Sequence, residues 1–208
     1  LVSVVAWMED PRRATAWRPG LVLALASLTR YEAWPVAAAL LAAAGVSLAR
    51  VGGGTPDAWR AAVRRVARVA AWPVTAALLF IVNSRVSTGA WFVTGGFFVA
   101  ENEAHGRPFS ALWQVGWGAV RLMGPWATGA GALGLLVALW WLRRPPATHR
   151  SRAWLALALA GTLALPFYAF VQGHPFRIRY MVALVLVTAV GAGFLVTVWP
   201  RRWLRVAA

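Results

Sequence analysis

The run YMVALVLVTAVGAGFLVTVW at residues 180–199 decides the fold of this chain, because none of its twenty residues is charged. A helix of that length is about 30 Å long, which matches the hydrocarbon core of a bilayer. Its indole-bearing end and apolar centre are typical of a membrane span. Comparable runs with almost no charge occur at about 66–82, 125–142 and 153–171.

The composition excludes most classes of soluble protein. Hydrophobic residues make up 60% of the 208 positions and charged residues 13%, with a mean hydropathy of +0.61. Soluble domains average about 45–50% apolar and about 25% charged residues. The 21 basic residues are all arginine and lie between the apolar runs, so we expect no nucleic-acid partner. We predict one all-α, polytopic integral membrane domain over residues 1–208, with about six to seven transmembrane or half-membrane helices.

Two further segments contribute predicted helices. Leu1–Met8 is apolar but spans only about 12 Å as a helix, and we expect it to be the tail of a span whose beginning precedes Leu1. Gly20–Thr29 and Trp34–Ala49 are both apolar, and Arg30–Glu32 lies between them. Since charges near the bilayer centre are costly, the sequence predicts a hairpin of two helices that turns at residues 30–35.

The distribution of arginine predicts the orientation. With the hairpin, one face carries 14 arginines and the other six; the first comprises residues 9–18, 50–65, 143–152 and 200–208. Cytoplasmic loops are enriched in basic residues, so we expect a multi-pass plasma-membrane protein with a cytoplasmic C-terminus. On that face Trp59–Trp72 is interpreted as a basic amphipathic helix in the interface. It is either a topology anchor or a site for lipid headgroups or a partner.

The outer face carries a long loop, predicted at residues 83–124, that contains interfacial or re-entrant helices. Loops beyond about 12–15 residues are usually functional or disordered, and the many aromatic residues argue against disorder. Within it Glu101, Glu103 and His105 form the densest acidic patch of the chain. Two carboxylates and an imidazole can act as base and acid or hold a divalent ion. The alternative is a solvated loop, and we expect no cofactor.

A second group of candidate substrate-binding residues directly precedes the 180–199 run: His174, Arg177, Arg179 and Tyr180. Topology disfavours positive charge on the outer face, so the two arginines need an explanation. Arginine suits bidentate binding of phosphate, and this position is level with lipid phosphates. Ordinary snorkelling to headgroups is the alternative.

The turn at Arg30, Tyr31 and Glu32 is the third candidate. Residues at i and i+2 do not face each other on a helix, so each charge is expected to find a partner elsewhere. We predict that Glu32 neutralises Arg177 or Arg179 across the outer face; alternatively, Arg30 and Glu32 only cap the hairpin.

Three short stretches resemble the GT-C superfamily of membrane glycosyltransferases, which includes protein O-mannosyltransferases and aminoarabinose transferases. LALASLTRYEAWP at residues 23–35 is similar to the helix break of that superfamily. Ser87-Thr88-Gly89-Ala90-Trp91-Phe92 resembles a Thr-Gly-Asp-Pro-Phe-like element, with Ala90 in place of the acidic residue. Arg179-Tyr180-Met181 resembles the Arg-Tyr that opens a late helix.

The resemblance implies transfer of a sugar from a polyprenyl-phosphate donor to an acceptor at the outer face. It implies that this chain is the C-terminal portion and that the catalytic carboxylate lies in a first outer loop, before Leu1 or in a partner subunit. Arg30, Arg177 and Arg179 would then stabilise the leaving phosphate, and Glu101, Glu103 and His105 would line the acceptor side.

Two alternatives stay open. Charged residues near helix breaks also occur in transporters and lipid flippases. A noncatalytic membrane subunit is consistent with the incomplete catalytic constellation. Membrane lipid is a partner under every hypothesis.

Overall fold

The computed structural model describes residues 2–9, 15–29, 33–91, 102–141 and 158–198. Across these ranges the chain is helical and contains no strand. The α-helices in chain order are α1 (Val2–Glu9), α2 (Trp17–Thr29), α3 (Ala33–Val51), α4 (Pro56–Thr88), α5 (Pro108–Met123), α6 (Pro125–Trp141), α7 (Ala164–Val171) and α8 (Val182–Val198). Short 3₁₀ helices at Leu159–Leu163 and Ile178–Met181 lead into α7 and α8.

Three of the described helical stretches are long and apolar enough to cross a membrane: Ala33–Val51, Pro56–Thr88 and Ile178–Val196. Helices α5 and α6 pass the same test together, but the chain bends by 119° between them. The all-α class and the presence of apolar helices of membrane-spanning length are therefore confirmed. The count of six to seven spans stays a prediction.

Helices α2 and α3 form the predicted hairpin. The Trp34 indole Nε1 donates to the Ser27 carbonyl at 2.8 Å, and its ring lies edge-on to Phe80 of α4 with centroids 6.1 Å apart. Earlier in α2, Gly20 contacts the Trp72 side chain. Hence α2 runs parallel to α4, whereas α3, whose Gly45 lies opposite Val66, runs back along it. The turn residues Arg30, Tyr31 and Glu32 lie outside the described residues.

Helix α4 changes two sequence-based interpretations. It has 33 residues and is about 50 Å long, well beyond the roughly 30 Å of hydrocarbon. Its start is capped by Thr55, whose hydroxyl accepts from the Ala58 N–H at 3.2 Å. The basic segment Trp59–Trp72 is therefore the first part of this long helix and not a separate helix. Its position in the interface stays a prediction. Because α4 continues to Thr88, the predicted loop at residues 83–124 begins at Gly89.

Two clusters of buried residues form the core. The first cluster contains residues of the four helices α1, α2, α3 and α4 together with Ala158. The second contains Ala104 and residues of α5, α7, α8 and the two 3₁₀ helices. Val36 contacts both, and Gly161 packs against Ala39 and the Pro35 carbonyl between them. Fully buried side chains of the two clusters include Val4, Val69, Val115, Phe170 and Met181.

The ends of the bundle follow from these contacts. The start of α3 lies beside the second half of α4, and the segment before α7 lies beside the start of α3. Leu159 shares the second core cluster with Leu184 near the start of α8. One end of the bundle therefore contains the C-terminus of α4, residues 102–107, α5 and residues 172–181. We call it the groove end. The opposite end, with the α3–α4 turn, is called the basic end.

Glycine residues allow α6 and α8 to pack backbone against backbone. A Cβ at Gly131 would lie 2.7 Å from the Thr188 Cα, and one at Gly134 would overlap the Gly191 carbonyl. The pairs 131 with 188 and 134 with 191 show that the two helices run parallel. Where lipid surrounds the helices and no hydrophobic force drives them together, small residues at the interface let the backbones approach closely and gain van der Waals contacts.

We predict that Gly191→Ala destabilises the folded chain by about 1–3 kcal/mol, since the added methyl group has no room. Gly193→Ala is the matched control on the same helix, with no atom within 4 Å of its Cβ. It should be neutral or slightly stabilising, because alanine favours helix. Unfolding in mixed micelles measures the stability of both variants. Equal stability of the two would contradict the close contact between α6 and α8 at Gly191.

Candidate functional site

Two segments that are far apart in sequence are hydrogen-bonded to each other at the groove end. The Asn102 backbone N–H donates to the Gly173 carbonyl at 3.0 Å, and that of Gly106 to the Val171 carbonyl at 2.9 Å. Irregular backbone needs such partners when water is excluded. Residues 102–107 are therefore docked on the turn between α7 and α8.

The Asn102 side chain fastens this docking. It is only 8% exposed, and its Nδ2 donates to Gln114 Oε1 at 2.8 Å and to the His174 carbonyl at 3.0 Å. Its Oδ1 accepts from Gln114 Nε2 at 2.8 Å and from the Ala104 N–H at 2.9 Å. Both amide hydrogens and the oxygen are thus satisfied, as a buried amide requires.

Aromatic packing holds α5 against the same turn. The buried Phe170 stacks on Phe176 with centroids 5.5 Å apart, and Phe176 meets Trp117 of α5 edge-on at 5.5 Å. Tyr180 lies 6.2 Å from Phe170. The Arg121 guanidinium lies 5.0 Å from the Trp117 ring centroid, a cation–π contact.

The structure brings together the described members of two predicted groups. Glu103 and His105 are exposed on the docked segment, and the His105 ring packs 3.3 Å from the Cβ position of Gly173. That contact places His105 next to the segment that carries His174 and Arg177. Neither predicted group alone contained this information.

The arginines after the docking point are close to the start of α8. The Tyr180 N–H donates to the Arg177 carbonyl at 3.0 Å, and the Arg179 guanidinium lies 5.8 Å from the Tyr180 ring centroid. Arg179 is exposed and Arg177 half-buried. Both cations stand where an apolar helix begins, which is the position expected for contact with a lipid phosphate.

The other predicted residues lie outside the described ranges: Arg30, Tyr31, Glu32 and Glu101. The predicted pairing of Glu32 with Arg177 or Arg179 stays a prediction for that reason. Within the part of the chain that the structure describes, no three His, Cys, Asp or Glu side chains are grouped to hold a metal ion.

A groove of about 420 Å³ opens beside the docked segment. Its lining residues are Glu103, Arg107, Phe109, Ser110, Trp113 and Gln114. Sequence reasoning found only Glu103 among them. The i, i+4 spacings of Phe109 with Trp113 and of Ser110 with Gln114, together with a Pro at the helix start, were the signals that could have indicated one lining face.

The Ser87–Trp91 stretch has a local structural role. Gly89, with φ of 74°, ends α4 in the left-handed conformation. The Ser84 hydroxyl donates to the Ala90 carbonyl at 2.9 Å, and Arg85 donates to the Gly89 carbonyl while its guanidinium lies 5.5 Å from the Trp91 ring centroid. These contacts give the end of α4 and the turn at Gly89 a defined local structure.

Positive charge predominates at the groove end. Glu103 is the carboxylate that the described residues place there, and the cations are Arg85, Arg107, Arg121, Arg177 and Arg179. Such a field attracts anionic ligands.

These features define a helical protein of membrane type with a cationic, aromatic-lined groove at one end. Neither a family model nor any curated protein or solved structure matches this chain.

We predict that Asn102→Ala loosens the groove end by about 1–3 kcal/mol, because it removes four hydrogen bonds of a buried amide. Hydrogen–deuterium exchange should rise in residues 102–107 and 171–174 and stay unchanged in α4. Gln114→Ala should cost less, because Asn102 then keeps its bonds to the His174 carbonyl and the Ala104 N–H. Equal exchange in wild type and Asn102→Ala would show that the docking does not depend on this side chain.

Proposed function

We propose that this chain supplies the lipid-phosphate and acceptor contacts of a membrane glycosyltransferase, which moves a sugar from a polyprenyl phosphate to an acceptor at the groove end. One observation carries the proposal: the docking of residues 102–107 on residues 171–174. It joins Glu103 and His105 to the segment that bears Arg177 and Arg179.

The chemistry of the leaving group explains the need for arginine. When the glycosidic bond to a polyprenyl phosphate breaks, negative charge develops on the phosphate, and fixed cations stabilise it. Arginine offers parallel N–H donors that match phosphate oxygens. With Arg177 and Arg179 at the start of α8, the prenyl tail would lie along apolar helix surface while the phosphate stays at the interface.

Glu103 and His105 are assigned to the acceptor side of the same site. Both are exposed on the docked segment, and a carboxylate or imidazole can accept a hydrogen bond from an acceptor hydroxyl. We assign no described residue as the catalytic base. The resemblance implies that this base is a carboxylate of a first outer loop.

A lipid transporter is the second candidate, favoured by one observation. Helices α5 and α6 form a broken pair bent by 119°, and discontinuous helices are common at transporter substrate sites. Under that hypothesis the groove-end arginines would receive a lipid headgroup that leaves by another route, without any bond being broken.

The proposal includes an orientation, which rests on the arginine asymmetry. The groove end faces outward, and the basic end with the C-terminus faces the cytoplasm of a plasma membrane. Because the chain contains no cysteine, single cysteines can test it.

We predict that Ser87→Cys, at the end of α4, reacts with a membrane-impermeant maleimide added to intact cells. Val51→Cys, at the end of α3, should react only after permeabilisation. Both parent side chains are exposed, so burial does not protect either position. The reverse pattern would invert the orientation.

We predict that Arg177→Gln/Arg179→Gln weakens binding of undecaprenyl phosphate about tenfold or more, because charge-assisted hydrogen bonds contribute about 1.5–3 kcal/mol each. Binding is measured with the chain in phosphatidylcholine nanodiscs. Arg64→Gln/Arg65→Gln, at the basic end, is the charge-matched control and should bind normally. Arg179→Gln alone repeats the test with an exposed position if the double variant is unstable.

Equal affinities of the two double variants would remove the support for a phosphate site at the groove end. Undecaprenol, which lacks the phosphate, should bind both variants and wild type alike.

A further inference from the structure

The groove on α5 has two rows of side chains with different character. Phe109 and Trp113 form one row on successive turns, and they are 86% and 75% exposed. Ser110 and Gln114 form the adjacent row, one residue further along. Residues four apart lie above one another on a helix. The groove therefore has an aromatic strip beside a hydrogen-bonding strip.

The hydrogen-bonding strip is held in place before any ligand arrives. The Gln114 amide is fixed by its reciprocal bonds with Asn102, each 2.8 Å long. An amide has two N–H donors and an oxygen with two lone pairs, so one donor and one lone pair remain for a ligand. Pre-organised groups lose little entropy on binding.

Two opposite charges line the same groove without neutralising each other. Glu103 and Arg107 both face it, and neither forms an ion pair with another residue in the part of the chain described here. A carboxylate accepts and a guanidinium donates pairs of hydrogen bonds. Together they match vicinal hydroxyl groups, each of which donates and accepts.

We propose that this groove binds one neutral pyranose ring. The C–H face of the sugar would stack on Trp113, whose ring face is electron-rich. The hydroxyl edge would meet Glu103, Arg107 and Gln114. The volume of about 420 Å³ lies within the range of small-molecule sites, about 300–1,000 Å³. The inference rests on the proposed function for the source of the sugar: with Glu103 on the acceptor side, the expected source is the acceptor, and a donor sugar is the other outcome of the test.

Saturation-transfer NMR tests this with the chain in phosphatidylcholine nanodiscs and methyl glucoside, mannoside and galactoside as probes. Sugar-headed detergents are omitted because their headgroups are themselves pyranosides. At least one probe should receive saturation, strongest at the protons of its C–H face. Trp113→Ala should lower the signal at least fivefold, and Trp113→Phe should retain part of it.

Trp126→Ala is the matched control, because Trp126 is 90% exposed at the start of α6 and lies outside the groove. It should bind like wild type. Glu103→Gln and Arg107→Gln should each weaken binding several-fold. Absence of saturation for all three probes, or equal loss in Trp113→Ala and Trp126→Ala, would overturn the proposal and leave α5 as an aromatic anchor in the interface.

The source of the sugar is determined by adding a polyprenyl-phosphate mannose to the bound methyl glycoside. Displacement by this lipid, but not by undecaprenyl phosphate, assigns the groove to the donor; simultaneous binding assigns it to the acceptor. If sugars bind but undecaprenyl phosphate does not, the groove stands and the proposed function fails. If undecaprenyl phosphate binds through Arg177 and Arg179 but no sugar does, the pyranose site fails and the phosphate site stands.

Discussion

Backbone N–H and C=O groups must find partners inside the protein wherever water is absent, and this constraint determines where the site lies. The helices satisfy it internally. The irregular residues 102–107 and 172–174 cannot, so they bond to each other and to the Asn102 side chain. The hydrogen bonds between these two segments hold a non-helical surface in place at one end of an otherwise regular bundle. Functional side chains can be presented there without exposing backbone to hydrocarbon.

Helix packing determines the position of this surface. Gly131, Gly134 and Gly191 let α6 and α8 approach until their backbones touch, which fixes the direction of α8. The start of α8 in turn fixes the turn that carries Arg177, and the bend at Gly124 sets α5 across the same end. The position of the groove on α5 therefore depends on the packing of α6 against α8.

Local signals predicted the helices well and the site only in part. The runs 125–142 and 180–199 correspond to Pro125–Trp141 and Val182–Val198, because the length of an apolar run is a local property. The continuity of α4 was missed, since its arginines lower hydropathy without breaking the helix. The hydrogen bond between the Asn102 side chain and the His174 carbonyl joins residues 72 positions apart. Hydrophobic periodicity along the sequence does not predict a contact at that separation. The Ser87–Trp91 stretch, which resembles a family element, makes the contacts of a helix end, and these contacts do not test the resemblance.

The position of the charges separates the candidate functions. A transport path needs polar groups along the spans, and a charge there is costly unless paired. In the described spans the charged residues lie towards the helix ends, and the buried polar side chains of the described helices are Ser27, Ser47, Ser84 and Thr162. An enzyme that acts on a lipid-linked headgroup needs its charges only at the level of that headgroup, with apolar helix surface beneath for the tail. The groove end has this arrangement: arginines at the start of α8, one carboxylate on the docked segment, and exposed rings on α5 beside them. This distribution favours chemistry on a headgroup over passage of a solute through the bundle.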